Sequence, residues 1–227
     1  MKPGSKNSKQ PLAVTAYQTI IRRIICLEYP PSQHLEETHL VEDLGIGRTP
    51  IREALVRLQS EKMVESHPNR GVVVRPITLQ NTKAMFESMH IFEFGVVDIA
   101  MQKDCTTAIK LMRKSNESVK KAIQSNSMFR LVEANHEFHM SFAQSSQNEF
   151  LIRGVEDVRK EAKRLSYLFY NNAIDPHRPL DVHFESVVEE HNLMVETLAQ
   201  KEGDRLKALL KEHIDTFRQR IILFMTS

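Results

Sequence analysis

Two cysteines among 227 residues, Cys26 and Cys105, make no disulfide framework, which excludes a stapled secreted scaffold and fits a reducing cytoplasm. Long apolar runs are missing too: no stretch approaches the roughly 18 residues that a membrane helix needs. Residues 1–11 carry Lys2, Lys6 and Lys9 with no apolar segment behind them, so they read as a disordered arm and not as a signal peptide. One-sided charge is absent as well. The formal net charge of +2 divides into +3 over residues 1–78 and −1 over residues 79–227, too little to argue for nucleic acid by itself. There is no internal repeat, no low-complexity tract, no His-Glu-x-x-His and no nucleophile motif, which leaves a hydrolytic enzyme little to stand on.

What is present centres on Gly45 to Leu55, a short polar turn that opens into a helix. Ile51, Leu55 and Leu58 recur at i, i+4 and i+7 and form one buried stripe. Arg48 and Arg52, four apart, share a different and solvent-facing side. A helix with its back in a core and guanidinium groups near its start suits a DNA major groove. The flanks agree. Residues 35–44 form a short amphipathic helix that Gly45 caps. Met63 to Ser66 and Gly71 to Val74 read as short strands around the turn His67-Pro68-Asn69-Arg70. A first helix is expected over residues 12–27, ended by Pro30-Pro31. Together these make a winged helix-turn-helix over residues 12–75.

Residues 76–78 are the expected linker, where Pro76 stops the strand and Thr78 is a helix N-cap. Beyond it the periodicity turns wholly helical, with helices expected at 79–102, 105–124, 127–146, 148–171, 180–201 and 203–225. The fold class is mainly α: a winged helix-turn-helix with a β-hairpin wing, then an all-α bundle over residues 79–227.

Three histidines fall within apolar stripes of that bundle: His139, His191 and His213. If the last two helices form an antiparallel hairpin centred near residue 202, His191 and His213 are equidistant from the centre and face each other. Asn135 lies one turn before His139 on the same face. His136 falls off the stripe and His183 sits near a helix start, so both are expected to face solvent.

The run Arg48-Thr49-Pro50-Ile51-Arg52-Glu53-Ala54-Leu55, with Asn69-Arg70-Gly71-Val72, resembles the recognition helix and wing of the GntR family of bacterial transcription regulators. The all-helical second half is similar to the FCD domain of the family's FadR-like branch. Arg48 is the first choice for a guanine contact, with Arg52 reading a base or clamping a phosphate and Thr49 donating to a phosphate. The resemblance adds Thr38 from the preceding helix, and His67, Asn69, Arg70 and Gly71 from the wing. Gly47 departs from the family's Ser or Thr: it caps a helix nearly as well but offers DNA no side chain.

In the bundle, Asn135 to His139, Glu190-His191 and His213 resemble the segments with which metal-binding FCD members hold a divalent cation. That implies a site of Asn135, His139, His191 and His213, for zinc or nickel with manganese possible. Asn135 replaces the family's aspartate, which weakens the site and leaves an ion-free pocket of hydrogen-bonded histidines as the alternative. Met89 stands where the family often has an effector-binding arginine, four residues before Glu93, and the two mark the expected effector pocket. The implied protein is a homodimer on pseudo-palindromic double-stranded operator DNA. It is a repressor by default, controlled by a small acidic metabolite. A regulator answering to metal alone is the runner-up, and a metalloenzyme built on the histidines is a distant third.

Overall fold

The computed structural model describes residues 11–68, 71–170 and 180–226. The chain divides into two compact units, one through Pro76 and one from Ile77 onward.

The first unit opens with α1 (Leu12–Ile25), then β1 (His34–Leu35), α2 (Glu37–Leu44), α3 (Arg48–Ser60), β2 (Val64–His67) and β3 (Gly71–Val74). α1 stops earlier than the two prolines suggest, because Leu27 adopts a left-handed φ of 58° and turns the chain first. The sheet has three strands in the order β1-β3-β2, all antiparallel. Leu35 therefore belongs to a strand paired with Val72, not to the start of the second helix. Its buried side chain joins the core, and that apolar contact is what made it look like part of a helical stripe. Gly45 closes α2 in the left-handed conformation, at φ 62°, which favours glycine. Gly71 starts β3 at φ 69°, where a Cβ would lie 2.8 Å from His34 Nε2. Ala16, Ile20, Ile24, Ile51, Leu58 and Val74 fill the core beneath.

The second unit is a bundle of α4 (Leu79–Ala100), α5 (Thr106–Gln124), α6 (Met128–Gln144), α7 (Glu149–Tyr170), α8 (Leu180–Ala199) and α9 (Gly203–Thr226). Thr78 Oγ1 accepts a hydrogen bond from the Asn81 amide at 3.2 Å and so caps α4. α5 packs along α6 and α8, α7 along α4 and α6, and α9 along α4 and α8. Val96, Met112, Phe138, Phe142, Leu198 and Leu210 meet in the interior. Among the described residues, no helix is long and apolar enough to cross a membrane.

Candidate DNA-reading face and candidate ligand centre

α3 buries Ile51, Ala54, Leu55 and Leu58. At about 100° per residue, the pole opposite that stripe carries Thr49 and Val56, seven apart and so within about 20° of each other. Arg48, Thr49 and Arg52 are all exposed, as is Thr38 on α2. Gly47 is the N-cap in extended backbone, with no side-chain cap to the helix. Pro50 lies in the first turn, where the missing N–H costs no helical bond. Among the described residues Arg48 has no hydrogen-bond or ion-pair partner. Arg52 does have one: its Nε donates to Glu37 Oε2 at 2.8 Å, an ion pair that leaves the side chain 64% exposed. In the wing, His67 is exposed with Nε2 at 3.5 Å from Glu65 Oε2, and Gly71 begins β3. Asn69 and Arg70 lie outside the described residues. Sequence reasoning missed the Glu37 partner, which arrives from another helix. It also missed Val56, whose 66 % exposure is an unusual place for a branched apolar side chain.

In the bundle, α6, α8 and α9 bring His139, His191 and His213 together. Each offers a ring nitrogen, all within 4.8 Å of one another, and all three residues are buried. His191 and His213 face each other across the α8–α9 hairpin with ring centroids 5.3 Å apart. His139 Nε2 and His213 Nε2 stand 3.3 Å apart. Two imidazole nitrogens on one tetrahedral zinc, at about 2.0–2.1 Å each, are separated by about 3.3–3.4 Å. The same distance also suits an N–H···N hydrogen bond.

The surroundings fix the outer nitrogens of two of these rings. His213 Nδ1 meets Glu190 Oε2 at 2.6 Å, and His191 Nδ1 meets Asn116 Oδ1 at 3.0 Å. His191 Nε2 and Asn135 Oδ1 are buried with no hydrogen-bond partner among the described residues, the condition a cation would relieve. The donors present therefore fit a divalent ion of the zinc or nickel kind, with a neutral amide where a carboxylate would bind more strongly.

Electrostatics keep the centre receptive. Burial pushes His139 and His191 well below the usual imidazole range, helped by Arg159 at His139 and by His213 at His191. Burial also works against ionisation of Glu190, yet its hydrogen bond with His213 leaves the carboxyl below its ordinary value. Glu93, fully buried on α4, accepts from Arg159 Nε at 2.6 Å and lies 3.9 Å from His139 Nδ1. Met89, one turn earlier, is fully buried as well. The cation near the centre thus comes from Arg159 on α7, not from the Met89 position. A cavity of about 20 Å³, room for one water, lies among Asn135, Arg159, Tyr170, His183, Glu190 and His213.

Two expectations need correction. His183 does not face solvent: it is buried against the rings of Phe169 and Tyr170. His136 is half-buried, its Nδ1 is enclosed, and burial together with Lys163 lowers it to about 3. His136 lies off the stripe of α6 and His183 near the start of α8, yet α7 packs over both, which the periodicity of one helix does not register. Asn116 and Arg159 were also missed. A polar residue on an amphipathic helix carries no local sign that it points inward.

Comparison with known proteins agrees with this architecture. The model of bacterial regulatory proteins of the gntR family matches residues 12–74, and the FCD domain model matches residues 84–216. The Nta operon transcriptional regulator of Aminobacter aminovorans is 24% identical over 202 residues, covering 87% of this chain and 89% of that one. The transcriptional repressor RspR of Escherichia coli K12 is 18% identical over 215 residues, covering 95% and 91%. The solved structure of E. coli McbR/YncC superposes with a TM-score of 0.76 at 19% identity, covering 96% of this chain and 99% of that one, a likeness that speaks for the fold. With one model on the winged unit and another on more than half of the chain, the protein belongs to the GntR family of transcriptional regulators and carries an FCD domain as its second unit.

Proposed function

We propose that this GntR/FCD-type regulator represses an operon as a homodimer and is released by a small acidic metabolite held at a divalent-cation site in the bundle. Its family consists of DNA-binding regulators and not enzymes. Arg48 and Arg52 supply guanidinium groups for guanine edges, and Thr49 with the α3 amides supplies donors for phosphate. A twofold pair of such heads suits a pseudo-palindromic operator. The names of two relatives, an operon regulator and a repressor, support repression of an operon.

One observation carries the ligand half: three buried imidazoles converge from three helices while, among the described residues, His191 Nε2 and Asn135 Oδ1 have no hydrogen-bond partner. A divalent cation bound there supplies a positive centre for an effector's carboxylate. His139, His191 and His213 hold the ion and Asn135 offers a carbonyl oxygen. Arg159 stands beside them as a second positive group, shared with Glu93. Control by the ion alone is the second reading, favoured by a cavity that admits only one water.

The test starts with selection of bound duplexes from a random pool. Operator affinity is then measured with zinc, nickel or manganese, each alone and each with a panel of small carboxylic acids. Weakening only by ion plus acid supports the proposal, and weakening by the ion alone supports the second reading. Arg48→Ala is expected to cost about 1–3 kcal/mol and flatten base preference. Failure to retain any duplex at low ionic strength removes the DNA-binding reading.

A further inference from the structure

Resting on that reading of the cation site, we propose that Asn116 on α5 and Glu190 on α8 are positioning residues. They preset His191 and His213 with their lone pairs on Nε2, while His139 alone must change tautomer when an ion enters. The argument begins with Asn116, a buried residue that the family comparison does not single out. Its Nδ2 donates to the Val188 carbonyl at 3.1 Å and to Asn192 Oδ1 at 2.9 Å. Both amide hydrogens are engaged, so the amide is not free to flip. Flipping would set Oδ1 against an acceptor carbonyl. Oδ1 therefore faces His191 Nδ1 at 3.0 Å, and it can only accept. The proton of the neutral ring must sit on Nδ1, which leaves the lone pair on Nε2, the buried atom with no hydrogen-bond partner among the described residues. Phe138 lies parallel to the His191 ring, with centroids 3.7 Å apart, and holds the ring in that plane.

Glu190 does the same for His213. Its Oε1 accepts from Ser186 Oγ at 2.6 Å and its Oε2 from His213 Nδ1 at 2.6 Å, so neutral His213 also presents a lone pair on Nε2. His139 has no such support. Its Nδ1 makes no hydrogen bond among the described residues, and the nearby Glu93 Oε1 is 3.9 Å away and engaged with Arg159. With His213 Nε2 as acceptor 3.3 Å distant, His139 donates from Nε2 when no ion is present. To ligate through Nε2 it must carry its proton on Nδ1 instead, next to Glu93.

The experiment uses full-length protein stripped with a chelator and held near pH 8. Histidine nitrogen NMR is recorded before and after adding zinc alone. Expected without zinc are Nδ1–H rings at His191 and His213 and an Nε2–H ring at His139, with only His139 changing on zinc addition. Asn116→Leu is expected to scramble the His191 tautomer and weaken zinc binding about 10- to 100-fold. Glu190→Gln, which keeps an acceptor, is expected to preserve the His213 tautomer with a smaller loss. An Nε2–H ring at His191 in the zinc-free wild type overturns the proposal, as does zinc affinity within twofold of wild type in folded Asn116→Leu. If Asn116→Leu does not fold, the wild-type spectra still decide. If wild type binds no zinc, nickel or manganese, the cation reading fails, while the zinc-free tautomers report on Asn116 independently.

Discussion

Glu37 offers a sharp test of how α3 reads DNA. Its carboxylate holds Arg52 Nε at 2.8 Å across the α2–α3 turn, with the two side chains 36% and 64% exposed. A pair so open to water contributes at most about 1 kcal/mol to stability. Its larger effect is on orientation: with Nε engaged, the two Nη groups are the donors left for guanine O6 and N7. Glu37→Ala frees the guanidinium to rotate and removes a negative charge from the DNA-facing side. The ordering lost is of the size of the exposed pair, about 0.2–1 kcal/mol, so the ratio of operator to scrambled-duplex affinity is expected to fall about 1.4- to 5-fold. Binding to scrambled DNA itself should strengthen. Arg52→Ala is expected to lower the ratio more, by about 1–3 kcal/mol, and Glu37→Ala should add nothing in that background. Fluorescence anisotropy on a selected operator and on its scramble, at two salt concentrations, measures all four proteins. A ratio that rises in Glu37→Ala, or an equal fall with Arg52 already absent, would refute the reasoning.

Val56→Ala trims an exposed apolar side chain from the outward pole of α3 and is expected to cost about 1 kcal/mol, roughly fivefold, at one thymine. The loss should vanish when uracil, lacking the methyl group, replaces that thymine, and equal losses on both duplexes would exclude methyl contact. His191→Ala is expected to lower bound metal by elemental analysis while leaving the thermal transition of the winged unit in place; unaltered metal content would count against the site. Burial depresses His136, His139 and His191 when folded, so below about 6.5 the unfolded chain takes up protons that the folded chain refuses. Stability of chelator-treated protein should therefore fall as pH drops through 6.5, by up to about 1.4 kcal/mol per pH unit for each histidine. Denaturant melts should show His136→Leu with a shallower slope, and equal slopes would remove His136 from the account.

Much of the architecture could be read in the chain because it is written locally. The α3 stripe, the Gly45 turn and the Thr78 cap each rest on residues a few positions apart. The centre was partly legible for the same reason, since three inward histidines and a hairpin centred near residue 202 need only helical periodicity. What stayed hidden arises between elements. β1 has two residues, too few to alternate, and exists because β3 offers it a free edge. Asn116 reaches His191 from 75 positions away and Arg159 reaches Glu93 from 66, and no spacing within a helix announces either. His136 was assigned to solvent by the stripe of α6 and His183 by its place near the start of α8, and in both cases α7 supplies the cover.

The cavity beside the histidines has walls from four helices: Asn135 on α6, Arg159 on α7, Glu190 on α8 and His213 on α9. At about 20 Å³ it is full once a single water is inside. A guest seated here touches α6, α7, α8 and α9 at once, so a single binding event reaches four helices of the bundle together.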